Sequence, residues 1–494
     1  MKKISFLSLL LCVLMVLQAL CVPVHATQLT PVEDELSPLP TYAADELGAI
    51  TVNSGCRTIE GQVPLAGSDR ILKSAQAAFV YETNTGTVIY SYNPDLPLSP
   101  GVLAKLVTAI VAIERGNLDD IYTVNSMSYK TLPGSAVKIN AGLKEGEEIS
   151  LKDLLHYMIM HWANDAAVTI AENIAGTQEH FVQLMNEWVQ EAGCVSTKFT
   201  NVHGVSSVEA RTTARDMVRI YQKACKNRTF KELLATTAYT VGPTNKDDKS
   251  EKLQAKNYLM EEYVLSKYNY DGVTTGFAPY GENYGGHLVC TAETEGMSFV
   301  VVVLGAQREF ASNGWQPTYY GNYEEAWDLL DLAFDGYKLC RLLHEGQSLY
   351  QFTVANGDNQ VVAQCTTAMD AILPATARMK NLLYKYTVKN GGLTAPISAG
   401  QNIATLQIWY QNSCIAETEL HAMSSVRAIS DKHVTIYSGG TSRGADIGAI
   451  LSFVGIVFLV IFVPFVIYLI INRVRRAMTR NRRRRRRQSR RRSR

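Results

Sequence analysis

From residue 447 to residue 471 the chain runs for 25 residues without one charged side chain. At a rise of 1.5 Å per residue, such a run crosses a bilayer core of roughly 30 Å with some tilt to spare. A transmembrane helix is therefore expected over 447–471, with Pro464 tolerated as a kink. Fourteen arginines and no acidic residue lie between Arg473 and Arg494. By the positive-inside rule they hold the tail, 472–494, in the cytosol and put everything before the helix outside. The same arginines suit the anionic lipid of the inner leaflet.

The other end of the chain agrees. Lys2 and Lys3 precede an apolar run from Phe6 to Cys21, followed by Val24-His25-Ala26. This pattern reads as a secretory signal peptide, 1–26, cleaved before Thr27. The two ends together predict a single-pass type I membrane protein with an extracytoplasmic ectodomain. Its formal charge of +2 conceals a segregation, because without Lys2, Lys3 and the tail arginines 32 basic residues face 46 acidic ones, a balance of −14. So acidic a body makes nucleic acid an unsuitable partner. Seven cysteines remain after the signal peptide, widely spaced and with no C-x-x-C pair. That indicates neither a zinc site nor a disulfide scaffold, and at least one thiol is unpaired within a monomer.

An acidic, Pro-containing lead-in, 27–69, precedes the ordered part. AAFVYETNTGTVIYSYN (77–93) holds two β-rich runs around Asn84-Thr85-Gly86, a hairpin signal. Leu103, Leu106, Val107, Ile110 and Val111 recur at helical spacing, so a helix is expected from Val102 to about Arg115. Ser150 caps LKDLLHYMIMHW, NDAAVTIAENIAG is closed by Gly176, and 213–226 is again helical. Strands return in DGVTTGF, GGHLVCTAE and MSFVVVVLGA, and a last helix is expected from Tyr323 to about Leu343. Strands, a helical block and strands again predict an α+β domain, 70–343, with helices packed on an antiparallel sheet. From 344 to 430, short strands with Gly, Asn and Pro turns (SLYQFTVANG, LLYKYTVKNGG, NIATLQIWYQNS, AETELHAM) predict a small all-β sandwich. A linker, 431–446, leads to the membrane.

In that order, several segments resemble the serine-type D-alanyl-D-alanine carboxypeptidases, the low-molecular-mass penicillin-binding proteins. PLSPGVLAKLVTAIVAIERGNL is similar to their active-site helix, which opens P-A-S-L-T-K. HWANDAAVTIAE is similar to S-G-N-D-A-A, NVHGVSSVEARTTARDM to N-P-H-G-L…T-A-R-D-M, and DGVTTGF to V-D-G-x-K-T-G. The likeness runs from about residue 70 to 435. It implies a penicillin-binding/β-lactamase-like fold, no metal or cofactor, and acylation of a serine by the D-Ala-D-Ala end of a peptidoglycan stem peptide. In that chemistry a lysine one helical turn after the serine acts as its base. A second Ser with an Asn relays protons, and a Lys-Thr-Gly strand edge holds the substrate carboxylate.

Carried over residue by residue, the pattern is broken in three places. Lys105 is present, but Val102 stands at the nucleophile position. Asn164 survives, but Trp162 replaces the second serine and Ala163 the glycine. Thr274-Thr275-Gly276 keeps the Thr-Gly edge without the lysine. Removing the nucleophile of a serine protease costs on the order of 10⁶ in rate, so the likeness implies an inactive member. The sole S-x-x-K, Ser135 to Lys138, lies in a loop, and Ser99 lacks the one-turn relation to Lys105. His156 and His161, five apart and about 140° around a helix, do not form a metal pair. Three functions follow as alternatives: a pseudoenzyme that binds peptidoglycan stem peptide or an envelope protein, a working D,D-carboxypeptidase with a non-standard nucleophile, or a structural spacer in an envelope assembly.

Overall fold

The alternation in the first β-rich run produces the expected hairpin. β1 (Ala77–Glu82) and β2 (Thr87–Tyr92) pair antiparallel, and the turn between them contains Gly86 at φ 74°. The computed structural model describes residues 62, 64–66, 71–125, 139–205, 207–260, 267–294, 296–310 and 317–429. The expected signal peptide, most of the lead-in, Ser135, Lys138, the expected membrane segment 447–471 and the arginine tail therefore lie outside the described residues. Among those described, no helix is long and apolar enough to cross a membrane.

A single 3₁₀ turn, Gly101–Leu103, runs into α1 (Ala104–Arg115). β3 (Ile121–Thr123) pairs with β4 (Glu148–Ser150), and Ser150 then starts α2 (Leu151–Met160) by accepting the Asp153 N–H on its hydroxyl at 3.1 Å. The helical block continues through α3 (Asn164–Ala175), α4 (Gln178–Glu191), α5 (Ala214–Ala224) and α6 (Arg228–Ala235). A short hairpin, β5 (Ala238–Val241) with β6 (Glu251–Gln254), follows. Next come β7 (Val273–Phe277), β8 (Tyr280–Gly281), β9 (Gly285–Thr294) and β10 (Met297–Ala306), then β11 (Arg308–Phe310), β12 (Pro317–Tyr320) and α7 (Gly321–Gly336).

The main sheet has the order β2-β1-β10-β9-β7, with β8 on β9, and all its pairings are antiparallel. Both faces are covered. Phe79, Val300, Val302 and Leu304 join the core shared with the helical block. Their neighbours Ala78, Val80, Val301 and Val303 face the core formed with α7. Burial on both sides explains why β10 reads as an unbroken apolar run rather than an alternating one.

α7 ends at Gly336, not near Leu343. Tyr337–Leu343 is a strand, β13, paired with β16 (Met369–Pro374). Leu342 and Leu343 fit a helical spacing in the sequence, but the pairing with β16 and burial in the separate core of the β domain decide for strand. The β-rich part adds a five-stranded sheet, β14-β15-β19-β18-β17, made of β14 (Ser348–Phe352), β15 (Val361–Cys365), β17 (Leu382–Val388), β18 (Asn402–Tyr410) and β19 (Ser413–Ala422). β13 and β16 share its core, Leu343 and Leu373 lying with Ile403, Leu406 and Leu420. This is the two-layer β domain expected after an α+β domain. Cys194, Cys225, Cys290, Cys340 and Cys365 are free thiols.

Candidate active site

The site is built where α1 enters the helical block. Position 102 lies in the 3₁₀ turn that leads into α1, three residues or about one turn before Lys105, so both project from the same side. Lys105 is wholly buried. Its ammonium donates to Asn164 Oδ1 at 2.6 Å and to the His203 carbonyl. Burial pushes the Lys105 amine down to about 7, against a smaller opposing effect from the Asp165 carboxylate. Asp165 itself accepts the N–H groups of Ala141, Leu143 and Ala166, while burial raises its pKa. Burial, and then the neighbouring Lys105, holds His203 down at about 3, so its ring is neutral and its Nδ1 accepts the Val205 N–H at 3.1 Å.

The backbone around α1's start is tightly fitted. Gly204, at φ 81°, packs on Gly101. A Cβ on Gly204 would fall 2.1 Å from the Gly101 carbonyl oxygen, so only glycine fits there. Val102 is 7% exposed and its side chain belongs to the main core. An amine of lowered pKa therefore sits one turn from a side chain that has no proton to give it.

Trp162 adopts φ 60° in the turn between α2 and α3, and the Lys256 ammonium lies 4.8 Å from the centre of its ring. Burial lowers the Lys256 pKa. Trp162, Leu233, Leu234, Asn257, Gly276 and Phe277 surround a void of only about 20 Å³, room for little more than one water. The Asn257 amide nitrogen there is buried without a hydrogen-bond partner among the described residues. A Cβ on Gly276 would fall 2.5 Å from it. On β7, Thr275 turns into the core and shares a 2.8 Å hydrogen bond with the Tyr221 hydroxyl, whereas the Thr274 hydroxyl donates to the Thr291 carbonyl at 3.4 Å. Lys105 and Asn164 are thus joined directly and Trp162 shares a void with Gly276, but no hydrogen bond links Thr274 to Lys105 or Asn164.

Sequence reasoning missed Tyr284. Its ring lies against Gly101, where a Cβ would come within 2.5 Å of it, and stacks on His287 with ring centres 4.8 Å apart. Burial raises the pKa of its hydroxyl, against a smaller opposing effect from the Val102 backbone N–H. His287, pushed down to about 4 by burial, bonds to the Ser99 carbonyl through Nε2 and accepts the Gly305 N–H on Nδ1. Ser99 has a buried hydroxyl with no hydrogen-bond partner among the described residues. Tyr284 therefore packs on the backbone that leads into position 102. The only trace of this in the sequence is an aromatic residue in a glycine-bracketed turn, and its approach to Gly101 is not local. His156 stacks on Tyr239 and bonds to the Lys152 carbonyl at 2.7 Å, while His161 ends α2 beside Tyr157.

An antiparallel sheet between a helical block and a single long helix, with a buried lysine and asparagine meeting at the start of α1, defines the penicillin-binding class of acyl-transfer folds. A family model described as D-alanyl-D-alanine carboxypeptidase matches residues 67–308, and one described as Penicillin-binding protein 5, C-terminal domain, matches 337–428. D-alanyl-D-alanine carboxypeptidase DacF of Bacillus subtilis is 25% identical over 365 residues, covering 73% of this chain and 88% of that protein. DacC of Escherichia coli is 27% identical over 363 residues, covering 71% and 84%. The solved structure of penicillin binding protein 5 from Haemophilus influenzae superposes with a TM-score of 0.57 at 25% identity, covering 73% of this chain and all of that one. The chain belongs to the serine-type D-alanyl-D-alanine carboxypeptidase family, the low-molecular-mass penicillin-binding proteins.

Proposed function

We propose that this family member is a pseudoenzyme of the bacterial cell envelope, anchored by 447–471 and kept for binding peptidoglycan or organising the wall rather than for cleaving stem peptides. The observation that carries the reading is Val102. Lys105 retains a lowered pKa and its contact with Asn164, yet the side chain one turn before it is a hydrocarbon. Two further features support it. Tyr284 packs on Gly101 at the entry to position 102, and Trp162 leaves almost no space beside Gly276. Thr274 offers no cation to a terminal carboxylate, and a body at −14 does not steer an anionic peptide toward the site. β7 still lies at the sheet edge, and among the described residues no strand pairs with its outer side. A peptide bound weakly there is compatible with this arrangement; an acyl-enzyme is not. The purified protein should release no D-alanine from a pentapeptide ending in D-Ala-D-Ala. Release abolished by Ser99→Ala or Ser135→Ala would establish the rival reading of a displaced nucleophile.

A further inference from the structure

At the end of the main sheet where β1 begins and β10 stops, a groove of about 650 Å³ opens beside Tyr284. That is within the ~300–1,000 Å³ range of small-ligand sites, and far larger than the void under Trp162. Tyr92, Tyr280 and Tyr284 supply aromatic surface. Gln76, Asn283 and Gln307 line the groove as exposed residues, and their carboxamides make no hydrogen bond among the described residues. The glycine at 305 keeps the floor low, since a Cβ there would meet the Gln76 amide nitrogen at 2.7 Å. Arg308 lies between two rings, its guanidinium carbon 3.8 Å from the centre of Tyr280 and 4.5 Å from that of Tyr320. Its Nε is buried with no hydrogen-bond partner, and no ion pair to it exists among the described residues. Glu282 at the rim offsets its charge, so the groove is close to neutral.

Free carboxamides offer paired donors and acceptors, and aromatic faces offer flat apolar surface. A neutral ligand carrying both hydrogen-bonding pairs and apolar C–H faces matches that lining, and a pyranose bearing an acetamido group is such a ligand. A polyanion does not fit it, because the groove has one cation set against one acid on a strongly acidic body. We propose that this groove binds a short stretch of a neutral glycan of N-acetylated hexosamines, with the three exposed carboxamides as polar contacts and Tyr280 as the stacking face. The assignment deepens the peptidoglycan-binding reading and rests on it for the source of the glycan.

The test uses the full chain in detergent micelles, titrated with tetra-N-acetylchitotetraose and followed by tyrosine fluorescence, with cellotetraose as the sugar lacking acetamido groups. Saturable binding is expected, weakened at least five-fold by Tyr280→Ala and by Gln307→Ala, and at least five-fold weaker for cellotetraose. Gln307 is exposed, so its variant keeps the test decisive should Tyr280→Ala fail to fold. Absence of saturation up to about 10 mM, equal binding of the two sugars, or indifference to Gln307→Ala would overturn the assignment. The probe has no peptide, so its failure leaves the pseudoenzyme reading standing. Acylation by a β-lactam would sink that reading and leave the groove untouched.

Discussion

Lys105 carries an amine into a place with no solvent exposure, where it bonds to the Asn164 carboxamide oxygen and the His203 carbonyl, with Asp165 nearby. Its folded pKa, about 7, lies well below that of an unfolded lysine, about 10.4. Between those values the unfolded chain binds a proton that the folded chain does not, so this group makes stability rise with pH across that window. Lys105→Met removes the dependence. The difference in unfolding free energy between wild type and Lys105→Met, from urea melts, should move in favour of the wild type by roughly 2 kcal/mol between pH 7 and pH 9. Taking the difference cancels the other groups that titrate there, including the buried thiols of Cys225 and Cys290, which burial pushes up. A flat difference would mean that the amine is not buried as charged-form desolvation requires.

The elements that position these residues are held by ordinary local chemistry. Thr213 starts α5 by accepting the Asp216 N–H at 3.1 Å, and α5 lies against β1 and β10. Thr213→Ala should cost about 1 kcal/mol, read as a fall of roughly 2–4 °C in the thermal midpoint; an unchanged midpoint would show that the cap is dispensable. The Ser150 cap and the β1–β2 hairpin were legible in the sequence because their signals are local, whereas α1, expected from Val102, begins at Ala104 behind a 3₁₀ turn. The end of α7 was not, since Leu342 and Leu343 suit either period and the partner strand β16 lies well downstream. The β5–β6 hairpin was missed for a related reason, as EKLQ and AYTV carry little alternation. In the site, the one-turn relation of Val102 to Lys105 could be read directly, whereas the His203 carbonyl and Tyr284 arrive from distant segments that no spacing rule connects to α1.

At the scale of the whole molecule, the family and the two-part architecture suggest a cell-envelope protein, and the ends of the sequence propose how it is held there. With 447–471 spanning the membrane once, external protease on intact cells should digest the body and spare an epitope placed after Arg494; loss of that epitope would reverse the orientation. The central claim is that this chain keeps the carboxypeptidase frame without its acylation chemistry. Labelling the purified protein with a fluorescent β-lactam tests that claim most directly, because the reagent reports an acylable serine and nothing else. Neither the wild type nor Val102→Ser should label, since Tyr284 packs on Gly101 beside position 102, Trp162 fills the space beside Gly276 and no lysine stands at position 274. Covalent labelling of the wild type would contradict the account outright, and efficient labelling of Val102→Ser alone would show that the cleft is open and that Trp162 and Tyr284 do not close it.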